Sequence, residues 1–154
     1  MVRFTALDTE AVRRLQNGGA DANGQACERA ISSGSGTPCR HCLKLIEKDE
    51  AFLILSYRPF PEPQPFAEQG PIFLHAGACD RHACDGDVPE MLESPQYIVR
   101  GYDAADRIVY GTGRVTPTDR IQSYASELFE NSGIAYIHVR SATNNCYQCR
   151  IDRS

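Results

Sequence analysis

Two C-x-x-C pairs constrain this chain more than any other feature: Cys39 and Cys42 in "TPCRHCLKL", and Cys146 and Cys149 in "NNCYQCRID". Cysteines separated by two residues can aim both sulfurs at one point from a tight turn, and a tetrahedral Zn²⁺ needs four such ligands. The long stretch between the pairs is no obstacle, because the fold brings them together. The spacing therefore predicts a structural zinc site made of Cys39, Cys42, Cys146 and Cys149. Such a site would fasten the last part of the chain to its middle.

A rival ligand set is present. "FLHAGAC" places His75 four residues before Cys79, within the range of zinc-finger spacings. The alternatives are Cys39, Cys42, Cys146 and Cys149 against Cys39, Cys42, His75 and Cys79, and the first meets the geometric demand with two matching turns. "CRHCLKLIEKDEAFLI" resembles a zinc knuckle of the treble-clef kind, in which C-x-x-C turns into a β-hairpin. It departs from that pattern at Asp49, where such knuckles usually carry glycine. His41, between the cysteines of the first pair, is expected to support a ligand or meet solvent, not to bind metal.

Seven cysteines is an odd number, so a complete disulfide framework would leave one over. The N-terminus lacks the apolar core of a secretory signal. No stretch approaches the roughly 18 apolar residues of a membrane span. These observations imply a cytoplasmic protein without a membrane partner, in which paired cysteines mean metal or catalysis more often than structural disulfides. Cys27 and Cys84 read as small buried hydrophobes. Arg40 and His41 beside the first pair would lower a thiol pKa, which makes a thiol-based redox protein or sensor the competing function. A thioredoxin-like site, however, places its pair at the start of a helix, and the residues after Cys42 leave little room for one before the next strand.

The 154 residues suit one domain. "VRFTAL" alternates as a first strand, and Asp8 caps a helix from Thr9 to Gln16 that Gly18 and Gly19 end. Residues 18–38 read as a flexible Gly/Ser-rich connection within the domain, with one short strand around Cys27 to Ile31. "EAFLILSYR" is apolar on both faces, which marks a central strand. Five prolines between Pro59 and Pro71 make the next stretch a loop, followed by the strand "IFLHA". "YIVRGYD" and "RIVYGTG" read as a hairpin turning through Ala104 and Ala105. Thr116, Pro117 and Asp119 carry the signature of a helix start, with Ile121, Tyr124, Ala125, Leu128 and Phe129 on its apolar face. "IAYIHVR" is a last long strand. The class is α+β: a largely antiparallel sheet with two main helices in a single compact domain, residues 1–154.

A net charge of −4 argues against a nucleic-acid partner. No G-x-S-x-G, H-E-x-x-H or P-loop occurs, so no catalytic residue is assigned. A hydrolase-like use of a cysteine with His75 or His138 has no supporting motif. Tyr136, His138 and Arg140 share one face of the last strand. They form either a half-exposed strand face or a polar patch beside Cys146 that could hold an anion. A homodimer through an exposed strand edge is possible.

Taken together, "PCRHCL", "SYRPFPEPQPFAEQGPIFLHA", "YGTGRV" and "HVRSATNNCYQCRIDR" resemble a bacterial family called domain of unknown function 1203. The resemblance covers nearly the whole chain. It implies a single compact bacterial domain and brings no activity, substrate or site residues with it. The chemistry must come from the residues themselves: a non-catalytic binding or scaffold module built on a structural zinc.

Overall fold

The computed structural model describes residues 1–154. Eight strands form two antiparallel sheets, with two α-helices packed against them. Strands β1 (Val2–Thr5), β5 (Gln96–Tyr102), β6 (Arg114–Pro117), β7 (Tyr136–Ser141) and β8 (Tyr147–Arg153) make the larger sheet, in the order β1-β8-β7-β5-β6. Strands β2 (Glu28–Ile31), β3 (Ala51–Tyr57) and β4 (Gly70–His75) make the smaller one, with β3 at its centre. The class is α+β, largely antiparallel with two helices, as expected, though the strands fall into two sheets and helix content is low.

Helix α1 (Thr9–Gln16) forms where its cap predicts: the Asp8 carboxylate accepts the Ala11 N–H at 3.1 Å. Its Val12 and Leu15 side chains are buried against the smaller sheet, each stabilising the packing by about 1.5–3 kcal/mol. Helix α2 (Ile121–Leu128) covers one face of the larger sheet with Ile121, Tyr124 and Ala125. It begins later than expected. Pro117 ends β6, paired with Gln96, and a 3₁₀ turn over Thr118–Arg120 leads into the helix. Neither Thr116 nor any other side chain caps it; the Thr116 hydroxyl donates to the Arg114 carbonyl instead. The hairpin after β5 also differs. Asp103 and Arg107 close a turn, Tyr102 bridges Ile108, and the chain then leaves the ladder and returns as β6 at Arg114–Pro117.

The two sheets give two cores. Phe4, Val99, Ile137, Val139, Cys149 and Ile151 pack under α2 in one. Leu53, Leu55, Ile72, Leu74, Tyr147 and the α1 residues make the other. Strand β7 is buried on both faces from Tyr136 to Arg140, with Ile137 and Val139 in the first core and Tyr136 in a small third cluster with Phe60 and Tyr102, so its polar face is not the half-exposed surface that its alternation suggests. There Phe60, Tyr102, Tyr136 and Tyr147 surround the His138 ring at centroid distances of 4.7–5.2 Å.

Candidate metal centre

The chain between β2 and β3 folds back on itself as a knuckle. Ile46 donates its N–H to the Thr37 carbonyl, Cys39 to Lys44, and Leu43 to Cys39, each at 2.9 Å. This turn aims Cys39 and Cys42 to one side. Two non-glycine positions around it take positive φ, Leu43 at +57° and Asp49 at +71°. Asp49, the departure noted in the sequence, thus takes the left-handed conformation that glycine adopts freely.

Opposite the knuckle, His75 ends β4 and Cys79 lies in the loop that follows. Helix α1 holds that loop in place. Gln16 donates to the His75 and Gly77 carbonyls at 2.9 and 2.8 Å, and Arg13 donates to the Cys79 carbonyl at 2.8 Å. As a result one donor atom each from Cys39, Cys42, His75 and Cys79 lies within 4.8 Å of all the others. Cys39 Sγ is 3.9 Å from Cys79 Sγ, and Cys42 Sγ is 3.6 Å from His75 Nδ1. Sulfurs bound at about 2.3 Å to a tetrahedral Zn²⁺ stand about 3.8 Å apart, and a bound sulfur and imidazole nitrogen about 3.6 Å apart. These two separations are those of a tetrahedral ion's ligands. This Cys₃His cluster can bind a metal ion.

The surroundings suit such an ion. The His75 backbone N–H donates to Cys39 Sγ at 3.4 Å. His75 Nε2 lies 3.4 Å from Glu50 Oε2, the carboxylate–histidine arrangement that fixes the tautomer of a ligating imidazole. His41 is fully buried, with Nδ1 3.1 Å from Cys79 Sγ and Nε2 2.8 Å from the Thr9 hydroxyl. With Nδ1–H donating to the sulfur, Nε2 accepts from Thr9. Cys42, His75 and Cys79 also border a cleft of about 540 Å³, so the cluster opens to one side of the molecule.

The three sulfurs strongly perturb one another. Hydrogen bonds from Cys42 and then Cys79 hold the Cys39 thiol far below its ordinary range. The same contacts push Cys79 far up and raise Cys42 to about 11. One thiolate thus opposes a second beside it. A divalent cation removes that opposition, because its charge exceeds that of any single ligand.

Cys146 and Cys149 are not brought to this cluster. Cys149 is in β8 opposite Val139, 1% exposed in the core under α2, and burial pushes its thiol up to about 12. Cys146 precedes the strand, with Sγ 3.7 Å from the Asn144 carbonyl. Cys149 lies within β8 and Cys146 before it, with a β-bulge at Gln148 between them, so this pair is not held in a turn like that of Cys39 and Cys42. The link between the middle and the last part of the chain is made by Arg40 instead. From inside the knuckle it donates through Nε to the Tyr147 carbonyl at 2.9 Å and through Nη1 to the Pro38 carbonyl at 2.8 Å.

Residues 36–153 match a family described as a protein of unknown function, DUF1203. The chain belongs to the DUF1203 family. The matched span holds all four residues of the cluster, whereas Thr9 and helix α1 lie before it. No curated protein and no solved structure matches this DUF1203 chain.

Proposed function

We propose that this DUF1203 protein is a non-catalytic binding or scaffold domain, with Cys39, Cys42, His75 and Cys79 holding one structural Zn²⁺. The agreement of the 3.9 Å and 3.6 Å ligand separations with tetrahedral geometry carries this proposal. Three thiolates and an imidazole suit zinc over harder ions. Four protein ligands fill the coordination shell, which is the mark of a structural site, since catalytic zinc keeps a position for water or substrate.

Elemental analysis of the freshly purified, untagged protein tests this, with thiols titrated before and after a strong chelator. One zinc per chain, with about three additional thiols becoming reactive on chelation, supports the proposal. No bound metal, together with thiols that oxidise reversibly in pairs, would replace it with a thiol-based redox protein.

A further inference from the structure

Away from the metal centre the fold gathers a second concentration of charge. Glu68, from the proline-rich loop, accepts from Arg100 of β5 through Oε1 and lies 3.2 Å from Arg140 Nη2 of β7 through Oε2. Two guanidiniums therefore face one carboxylate. Arg140 is only 4% exposed. Its Nε and Nη2 donate to the side-chain and backbone oxygens of Asn145, each at 2.9 Å, while the enclosed Nη1, like His138 Nδ1, has no hydrogen-bond partner. Buried polar groups are nearly always paired, so an unpartnered guanidinium nitrogen in a cluster with excess positive charge points to an anion.

Arg140, Glu68 and Asn145 line one cleft of about 330 Å³. Tyr57, Tyr147 and Cys146 also line it, and the two tyrosine rings pack with centroids 5.5 Å apart. We propose that this cleft binds the carboxylate of a small aromatic or apolar acid, with the carboxylate on Arg140 and the organic body against Tyr57 and Tyr147. The size suits a small ligand. Glu68 already shows that this guanidinium accepts a carboxylate, and a planar guanidinium matches a carboxylate better than a compact ammonium would. Glu68 is then an internal competitor: the incoming carboxylate takes Arg140 and leaves Glu68 to Arg100. His138 and Tyr136 are not part of the site. His138 is enclosed by aromatic rings, and the Tyr136 hydroxyl donates to Asp106 at 2.8 Å. The proposal does not depend on the metal centre.

The test titrates benzoate into isotopically labelled, as-purified protein, with benzamide as the neutral counterpart. An alanyl-phenylalanine peptide, as free acid and as amide, distinguishes a chain end from a free acid as the source of the carboxylate. Benzoate is expected to saturate in the millimolar range, shift the amides of Glu68, Asn145 and Cys146, and slow alkylation of Cys146 about threefold, read on its peptide by mass spectrometry. Benzamide should do neither. Glu68→Gln removes the competitor and should tighten benzoate about threefold, while Arg140→Lys should weaken it about tenfold. Binding of the peptide acid in place of benzoate supports the same chemistry on a chain end. The proposal is overturned if neither acid saturates by about 20 mM, as expected if an interior water serves Nη1, or if benzamide responds equally. Affinity unchanged by Glu68→Gln also overturns it, and that variant decides the matter if Arg140→Lys does not fold.

Discussion

His41 lies between Cys39 and Cys42 in the chain, yet its Nδ1 is 3.1 Å from the sulfur of Cys79. The knuckle thus carries two members of the cluster and a support for a third, with the imidazole held from behind by Thr9. Removing such a support typically costs 10–100-fold in metal affinity without removing a ligand. His41→Ala is accordingly expected to bind one zinc about 10–100-fold more weakly, in competition with a chromogenic chelator. Unchanged affinity would show that the contact does not tune the site.

The two candidate ligand sets separate by substitution. Cys79→Ser and His75→Ala should each abolish stoichiometric zinc and lower the melting temperature by about 10 °C or more, because metal-binding energy is folding energy. Cys146→Ser should leave zinc content and melting temperature unchanged. Cys149→Ser places a hydroxyl in a core, so it should lose stability while keeping its zinc. Loss of zinc in Cys146→Ser would return that cysteine to the ligand set.

Burial among aromatic rings holds the His138 pKa well below its ordinary value, and the charges of Arg140, Arg150 and Arg100 add to that shift. Its charged form is therefore favoured only in the unfolded chain. Stability from the neutral ring is fully present above about pH 6.5 and falls as the pH drops below it, by up to about 1.4 kcal/mol per pH unit. His138→Phe keeps a ring in the cage and removes the proton. Urea unfolding at pH 5 and pH 8 should show the variant gaining on the native chain at pH 5. An equal difference at both values would rule out His138 as the cause.

Leu43 is fully buried with φ at +57°, a conformation that disfavours side chains with a Cβ. Leu43→Ala should cost about 2–5 kcal/mol through the cavity it leaves. Leu43→Gly removes one carbon more but relaxes the left-handed backbone, so it should be no less stable than Leu43→Ala. Denaturant unfolding of the pair measures the difference. A glycine variant less stable by about 1 kcal/mol, the usual penalty for glycine, would mean the backbone is not strained there.

Much of the architecture was legible because local signals agreed with the fold. Asp8 before an amphipathic run gave α1, and the doubly apolar "AFLIL" gave the central strand β3. Where two signals compete at one place, the tertiary ladder decides. Thr116 and Pro117 carry a helix-start pattern, but pairing with Tyr97 and Gln96 holds them in β6. The Cys₃His cluster was half legible. The spacing of His75 and Cys79 was visible, but C-x-x-C spacing alone does not say whether a pair sits in a turn or runs into a strand. For Cys39 and Cys42 it is a turn; the second pair runs into β8, where Cys149 is buried in the core under α2. The support by His41 and the hold of α1 on the Cys79 loop join residues far apart in sequence, and no local pattern encodes them.

The two cores stand in different relations to the cluster. Cys39 and Cys42 are buried with the smaller sheet and α1, while Leu43, the next residue, is buried with the larger sheet beneath α2. With an ion in the cluster, its withdrawal would act on the two halves unequally. The smaller sheet would lose the tie between its knuckle and the end of β4, whereas the larger keeps a core that contains none of the four ligands. Leu43 anchors the knuckle in the larger sheet's core. Amide exchange after chelation would then run fastest through α1, the knuckle and the loop after β4, and slowest in β7 and β8, dividing the domain into a metal-gated unit and a self-sufficient one.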